Sequence, residues 1–520
     1  MFPADAPFPV YCRECWYGDG WDASLYGRDY DFTRPFFEQF KELQSRVPRF
    51  ALWHRNVINC DYSNMVGESK NVYLSASVVL GCENIFYSKN IDASFNIIDS
   101  LNVRNSESCY ENIESEKNYN SQHLLLSRNC VDSFFLIDCI NCSNCFMGSN
   151  LRNKQFHIRN KQYGKDEYFR EMEKLNLGSR AARGQLLGEF QELQKKAIYR
   201  FANIINAPGS TGNNISNAKN CKNCFDVYDA EDIKYSFRTF ISKDCMDYDF
   251  GGWSELMYEY ITGARNGYNV KFSYSAMGQD KNAEYIDSCI NCTDIFGCIG
   301  LKNKQNSILN KTYPKEEYIT LRQKIIKHMA EMPYIDEGGL IYKYGEFFPF
   351  NFSPFAYNES LSQEYSPLTK EQILNKGYHY KKEEIRNYTI TLKIQDIPDS
   401  IKDVGDEIFS ETLECSHCGN CDHHCSTAFR ITLGELQFYR KHNIPLPDKC
   451  PNCRYFERFA ILPKPSLYRR QCMCGSINSP QTTREHFHGA GKCKEEFETS
   501  YTPERPEIVY CEQCYNQEIY

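Results

Sequence analysis

The chain has 520 residues, with 60 Lys and Arg against 68 Asp and Glu and a formal net charge of -8. That balance excludes a uniformly basic nucleic-acid coat but leaves local basic patches open. Mean hydropathy is -0.60, and no apolar run approaches the ~18 residues that span a bilayer, so no transmembrane segment is predicted. The opening MFPADAPFPVYC has no basic n-region or apolar h-region. The chain is therefore expected in the cytoplasm, its 26 cysteines serving as thiols and metal ligands and not as disulfides.

Residues 1–50 read as half a zinc ribbon and a helix. The stretch Pro7–Trp16 obeys Pro-x-x-Val-Tyr-Cys-x-x-Cys-aromatic, and Pro506–Tyr515 obeys the same pattern. A Cys-x-x-Cys turn hands two thiolates to one zinc. Nothing upstream of Cys12 and Cys15 offers two more ligands. That pair is expected to be a remnant, or to be completed from another chain or from upstream sequence.

Residues 51–320 carry a degenerate internal repeat. Cys139-Ile140-Asn141-Cys142 recurs as Cys289-Ile290-Asn291-Cys292, and Asn153-Lys154-Gln155 as Asn303-Lys304-Gln305, both 150 positions on. The boundaries predicted are a first repeat at 51–177, a helical insert at 178–205, and a second repeat with a capping helix at 206–332. Inside each half a shorter motif recurs: a polar residue, Asn or Asp, then Cys or a small apolar residue, as in Lys70-Asn71-Val72 and Lys222-Asn223-Cys224. Short apolar runs between Asn corners predict many short strands, since Asn tolerates left-handed backbone angles. The fold class expected is mainly β with α: a duplicated right-handed β-helix-like solenoid, plus a C-terminal zinc-ribbon module. Cysteines at 60, 82, 109, 130, 245 and 298 are read as small side chains stacked inside it. Cys139, Cys142 and Cys145, like Cys221 and Cys224, have metal-like spacing that a tight corner also produces.

Each half leads into a helix, FREMEKL after Tyr163–Tyr168 and ITLRQKIIKHM after Tyr313–Tyr318, with a further helical stretch over about 181–204. Residues 333–410 read as a connector, with a short helix starting at Ser366-Pro367-Leu368-Thr369.

Residues 411–520 read as the zinc-ribbon module, and the last 106 residues hold 11 of the 26 cysteines. Two close cysteine pairs separated by a few dozen residues are how a ribbon brings four thiolates to a tetrahedral ion. The first site is assigned to Cys421, Cys425, Cys450 and Cys453, and the second to Cys472, Cys474, Cys511 and Cys514, giving about two Zn2+ per chain. Cys415 and Cys418 compete with Cys421, and His486, His488 and Cys493 form a further cluster. An iron–sulfur cluster fits the thiolate count less well than zinc.

The blocks PVYCRECWYGDGWDASLYGRDYDFTRPFFEQFKEL, NLRNKQ, NKQYGKDEY and FRITLGELQFYRKHNIPLPDKCPNCRYFERF carry a resemblance covering essentially the whole chain. They resemble uncharacterised cysteine-rich zinc-ribbon and β-solenoid proteins predicted from genomes of ultra-small uncultivated bacteria. Members look as if they often carry a complete ribbon before the first block, which this sequence lacks. The resemblance implies zinc and supplies no activity. A coenzyme A transferase label sometimes travels with such proteins, but no strand–Gly turn–helix supports it here.

Four functional readings follow, from different classes. The leading one is a non-catalytic zinc-binding scaffold or interaction protein that docks a macromolecular partner, protein or RNA, through its ribbon module and solenoid face, so the chain is read as more a binder than an enzyme. The second is RNA binding by the basic ribbon 426–471, where nine basic residues face three acids with aromatics interleaved. Arg430, Arg454, Arg458, Arg469 and Arg470 are its candidate contacts, and the acidic segment 396–414 is an internal competitor for them. The third is a polysaccharide-active β-helix enzyme using Asp247, Asp249, Glu255 and Glu259. Thiol redox chemistry ranks last, because no βαβ pattern surrounds the Cys-x-x-Cys turns.

Overall fold

The structure, a computed structural model, describes residues 2, 6–263, 265–275, 278–382, 388–476, 484–489 and 491–520. It is mainly β with some helices. Two long sheets dominate, one of 16 strands running from His54–Arg55 to Lys161–Gln162 and one of 12 strands from Ile204–Ile205 to Lys311–Thr312. Pairing is parallel almost throughout, and partners lie one fixed step apart in sequence. Val66 faces Val78, Ile85 faces Ile97 and Ile97 faces Cys109, each 12 residues on; where Gly81 is inserted, Val78 faces Ile91. In the first sheet alternate strands form two runs that meet in Tyr119–Leu125, which pairs with both. The sheet is thus one curled ladder around Val66, Val72, Val78, Ile85, Ile91, Ile97, Val103 and Cys109.

A backbone rhythm of three sets this geometry. Asn59, Tyr62, Met65, Glu68 and Asn71 all have positive φ, from 49° to 56°. Left-handed backbone costs an ordinary residue roughly 1–2 kcal/mol, and Asn and Asp suffer least because their side chains bond locally. Here the amides also bond to each other across the step. Asn59 Nδ2 donates to Asn71 Oδ1 at 3.2 Å, Asn71 to Asn84 at 2.9 Å, and Asn84 to Asn96 at 2.8 Å.

A second ladder runs inside. Ser63 Oγ donates to the Asp61 carbonyl and accepts from Ser75 N at 3.1 Å; Ser75 Oγ in turn accepts from Ser88 N at 3.0 Å. Cysteine takes the same place. Cys82 Sγ accepts from Ser94 N, and Cys142 Sγ donates to the carbonyls of Ile140 and Leu151. Cys82, Cys109, Cys130, Cys245 and Cys298 are buried and Cys60 is half-buried. Cys139, Cys142, Cys145, Cys221 and Cys224 are buried as well, and among the described residues they join no metal-holding group.

Both sheets end alike. Gln155–Ile158 turns back on Lys161–Gln162 before the helix Lys165–Glu173, and Gln305–Ile308 turns back on Lys311–Thr312 before Lys315–Glu331. The helix expected over 181–204 is Arg180–Lys196, capped by Ser179. It stops early because Ile198–Arg200 leaves it to pair with Ile508–Tyr510. In the 333–410 stretch, Thr369 forms a capping box at the head of Lys370–Asn375.

The termini pack on different sheets. Helix Phe36–Arg46 sets Phe36 and Phe37 against Tyr285, with ring centroids 5.3 and 5.4 Å apart. Arg49 pairs with Asp287 at 2.6 Å, both buried. The C-terminal segment lies on the first sheet. Among the described residues no helix is long and apolar enough to cross a membrane.

Candidate metal centres

Leu413–Glu414 pairs antiparallel with Ala428–Phe429, which carries Cys415 and Cys425 to the same end of the hairpin. Helix Pro451–Ile461 opens at Cys450, with proline in its first turn where no helical hydrogen bond is lost, so Cys450 and Cys453 flank that turn. The four sulfurs converge. Cys415 lies 3.6 Å from Cys425 and 3.8 Å from Cys453, while Cys450 lies 3.5 Å from Cys453 and 4.0 Å from Cys425. A tetrahedral ion with sulfur ligands at about 2.3 Å needs edges of about 3.8 Å. Backbone amides add support, Cys450 N donating to Cys415 Sγ at 3.2 Å and Thr427 N to Cys425 Sγ at 3.3 Å. A hydrogen bond from the Cys415 thiol pulls Cys450 well below the ordinary thiol range, whereas burial pushes Cys453 up.

Next to this group stands another, His417, Cys421, His423 and Cys453, whose ligand atoms lie within 4.8 Å of one another. The sequence pairs Cys421 with Cys425, Cys450 and Cys453; in the fold it falls in the neighbouring group, 3.7 Å from Cys453, and Cys415 stands in the first. Cys418 is exposed, bonds to the Cys415 carbonyl and joins neither group.

The second centre repeats the design. Strand Ile508–Tyr510 delivers Cys511 to the head of helix Glu512–Ile519, where Cys511 Sγ accepts from Cys514 N at 3.5 Å. Cys472, Cys493, Cys511 and Cys514, all buried, form one group; Cys474, His486, His488 and Cys514 form the other. Had strand Tyr468–Gln471 continued, Cys472 and Cys474 would share a face. It ends at Gln471, and a turn beginning at Cys474 sends the two apart. Cys472 then accepts from Cys511 N at 3.2 Å, while Cys474 Sγ lies 3.0 Å from His486 Nδ1 and 3.5 Å from His488 Nε2. The spacing predicts two sites and a further cluster at His486, His488 and Cys493; among the described residues the fold gathers four groups that could hold a metal ion and divides that cluster, Cys493 joining the four-thiol group and His486 and His488 the mixed one. His423 lies within the Cys415–Cys425 series, which the sequence leaves open to a further metal, whereas His417 stands at no knuckle spacing and gives no such signal; the two lie two and four residues from Cys421, and the fold adds Cys453 to them.

Cys12 and Cys15 repeat the local geometry of Cys511 and Cys514, with Cys12 Sγ accepting from Cys15 N at 3.5 Å. Both are exposed, and no further Cys or His joins them among the described residues.

The basic candidates point in different directions. Arg454 and Arg458 are 6% and 2% exposed and are held by Asp99, at 2.8 and 2.9 Å, on the first sheet. Arg458 also pairs with Glu111, and Arg454 with Glu435. Arg430 is exposed and donates to Thr412 Oγ1; Arg470 donates to the carbonyls of Thr502 and Glu507. Arg469 is exposed beside Glu496, and Arg440 from the basic ribbon pairs with Asp406 of the acidic segment.

Two sets of acids complete the picture. Asp249 accepts from Phe237 N, and burial raises it to about 6; Asp247 and Glu259 are raised as well, lying at one level between the paired Met246–Tyr258 and Tyr248–Tyr260. Glu255 starts the strand Glu255–Gly263 and is exposed. Glu114 and Asp226, which belong to no sequence motif, line a cavity of about 560 Å³ where the two halves meet. Asn214 Nδ2 bridges them at 2.9 Å to each, and burial lifts Glu114 to about 7.

No protein-family model matches the chain, and no curated protein matches it either.

Proposed function

We propose that the protein is a non-catalytic, zinc-binding scaffold. In this reading two β-helix-like solenoid halves, products of a duplication, form the rigid body. Bound ions clamp a C-terminal ribbon module onto it, and the clamped face docks a protein partner. Four-sulfur and mixed sulfur–imidazole sets at tetrahedral spacing suit zinc.

One observation carries the proposal: the candidate ligands are continuous with the residues that dock the module. Arg454 and Arg458, which enter the first sheet at Asp99, follow Cys453 on helix Pro451–Ile461. Tyr515, which bonds to Asp138 and Arg152 of the same sheet, follows Cys514. An ion that fixes either cysteine therefore fixes the docking side chains beside it. Structural zinc contributes on the order of 10–16 kcal/mol in small peptides, enough to decide whether such a module is ordered.

The test is metal analysis of purified protein, followed by chelation and hydrogen exchange. Bound zinc is expected, and its removal is expected to deprotect 411–520 while leaving the parallel sheets protected. Metal-free protein with a protected module would overturn the proposal. A protein complex that survives gel filtration and is lost on chelation is the expected partner result. Single-stranded RNA is expected not to bind at low salt, because Arg454 and Arg458 are consumed inside the fold. Salt-sensitive RNA binding would replace the protein partner with a nucleic acid.

A further inference from the structure

The geometry points to paired ions: we infer that each C-terminal centre is dinuclear, with Cys453 bridging two metal ions in one and Cys514 bridging two in the other. The inference rests on the zinc reading above and specifies it.

In the first centre the two candidate groups share one sulfur. Cys453 belongs both to the four-thiol set with Cys415, Cys425 and Cys450 and to the mixed set with His417, Cys421 and His423. Its sulfur touches both sides at ligand-edge distances, 3.8 Å to Cys415, 3.5 Å to Cys450 and 3.7 Å to Cys421. A thiolate has lone pairs enough for two ions, and a bridge gives each ion four ligands from seven residues.

Independent support comes from the imidazoles. Nδ1 of His417 and Nδ1 of His423 are buried and have no hydrogen-bond partner among the described residues. Leaving a buried nitrogen unpaired is costly, and a cation at the mixed set satisfies both. The other nitrogen of His417 faces Glu457, with Nε2 3.4 Å from the carboxylate, the usual outer partner that orients a metal-bound histidine.

The second centre shows the same construction around another Cys-x-x-Cys turn. Cys514 is common to the four-thiol set and to the mixed set with Cys474, His486 and His488. His486 turns Nδ1 toward Cys474 and Nε2 toward Glu518, 3.0 Å away. Glu457 lies four residues after Cys453, and Glu518 four residues after Cys514, so in each helix the bridging sulfur and the carboxylate that aims the histidine occupy one face, one turn apart. The recurrence of bridge, mixed set and carboxylate in both centres argues for a pair of ions at each, against one ion with spare ligands.

The experiment is metal stoichiometry on the full chain, with cadmium-substituted protein read by NMR. Four ions per chain are expected, and the Hβ protons of Cys453 and of Cys514 are each expected to correlate with two cadmium resonances. Cys421→Ser, at a half-buried position of the mixed set, is expected to lower the count to three and to remove the second correlation of Cys453 alone. Cys474→Ser is expected to do the same for Cys514. Two ions per chain, or four with each cysteine correlated to a single cadmium, would overturn the inference and leave the zinc scaffold standing. No bound metal would remove both.

Discussion

At the scale of single residues, the fold is built on a small set of interchangeable inward side chains. Asn118 Oδ1 accepts from Cys130 N at 2.8 Å, while its Nδ2 donates to the Ser127 carbonyl at 3.0 Å. In the second sheet Asp280 takes that role, accepting from Cys292 N at 2.8 Å. Asp280 has no amide to donate; its Oδ2 is buried without a partner among the described residues, and burial raises the carboxyl to about 7. A carboxyl raised on folding holds its proton more tightly in the folded chain. Its contribution is therefore full below about pH 4 and lost as pH rises toward about 7, at a cost of order 4 kcal/mol once ionised. Asp280→Asn restores the pattern of Asn118. It is expected to stabilise the protein by about 1–3 kcal/mol near pH 8 and to change little near pH 4. Urea melts at the two pH values check this, and an equal effect at both would argue against an ionised Asp280. Asn at the corners was legible in the sequence from its tolerance of positive φ. The equivalence of Ser, Cys, Asn and Asp on the inside was not, because it depends on an amide 12 residues away that only the register brings near.

At the scale of elements, helix Pro451–Ile461 shows why a basic stretch is a weak guide to nucleic acid. Its proline and the capping box of the preceding helix Leu433–Lys441 were readable locally, since caps act within one turn. The destination of its arginines was not readable, because Asp99 and Glu111 lie more than 300 positions earlier. The four charges, with Glu435, form a network in which Tyr87 and Tyr439 also bond to Glu435. Removing one partner of a buried pair strands the other charge and costs about 3–5 kcal/mol. Asp99→Ala is thus expected to destabilise the docked module by that amount. The observable is early proteolysis within 411–520 at a denaturant concentration that leaves the parallel sheets intact. Unchanged proteolysis would mean that the ions alone hold the module. The candidate ligand sets divide along the same line: cysteines at knuckle spacing were legible, while the assignment of Cys415 against Cys421 and of Cys472 against Cys474 turned on where a hairpin and a strand end.

At the scale of the whole molecule, the two copies of Pro-x-x-Val-Tyr-Cys-x-x-Cys are mounted in corresponding ways on the two sheets. Val10–Tyr11 pairs in parallel with Arg49–Phe50, and Ile508–Tyr510 with Ile198–Arg200. Each strand leads into a short helix whose aromatic residue meets a cation from the sheet: Trp16 lies under Lys302, 4.2 Å from its ring centroid, and Tyr515 accepts from Arg152 at 2.6 Å. Lys302 and Arg152 stand 150 positions apart, the offset of the repeat blocks. The N-terminal sheet thus receives the C-terminal knuckle, and the second sheet receives the N-terminal one. The Arg49–Asp287 pair and the Phe36 and Phe37 contacts anchor the N-terminal segment to the second sheet, and among the described residues no further Cys or His joins Cys12 and Cys15. These two thiols should then be as accessible as their exposure implies. With metal bound, a thiol-alkylating reagent followed by peptide mapping is expected to label Cys12, Cys15 and exposed Cys418 rapidly, and to label Cys450, Cys453, Cys511 and Cys514 only after chelation. The double variant Cys12→Ser, Cys15→Ser is expected to lose two rapid sites with no change in bound metal. Protection of Cys12 and Cys15 in the wild type, lifted by chelator or by dilution, would instead show that a second copy completes the knuckle and would make the metal count depend on protein concentration.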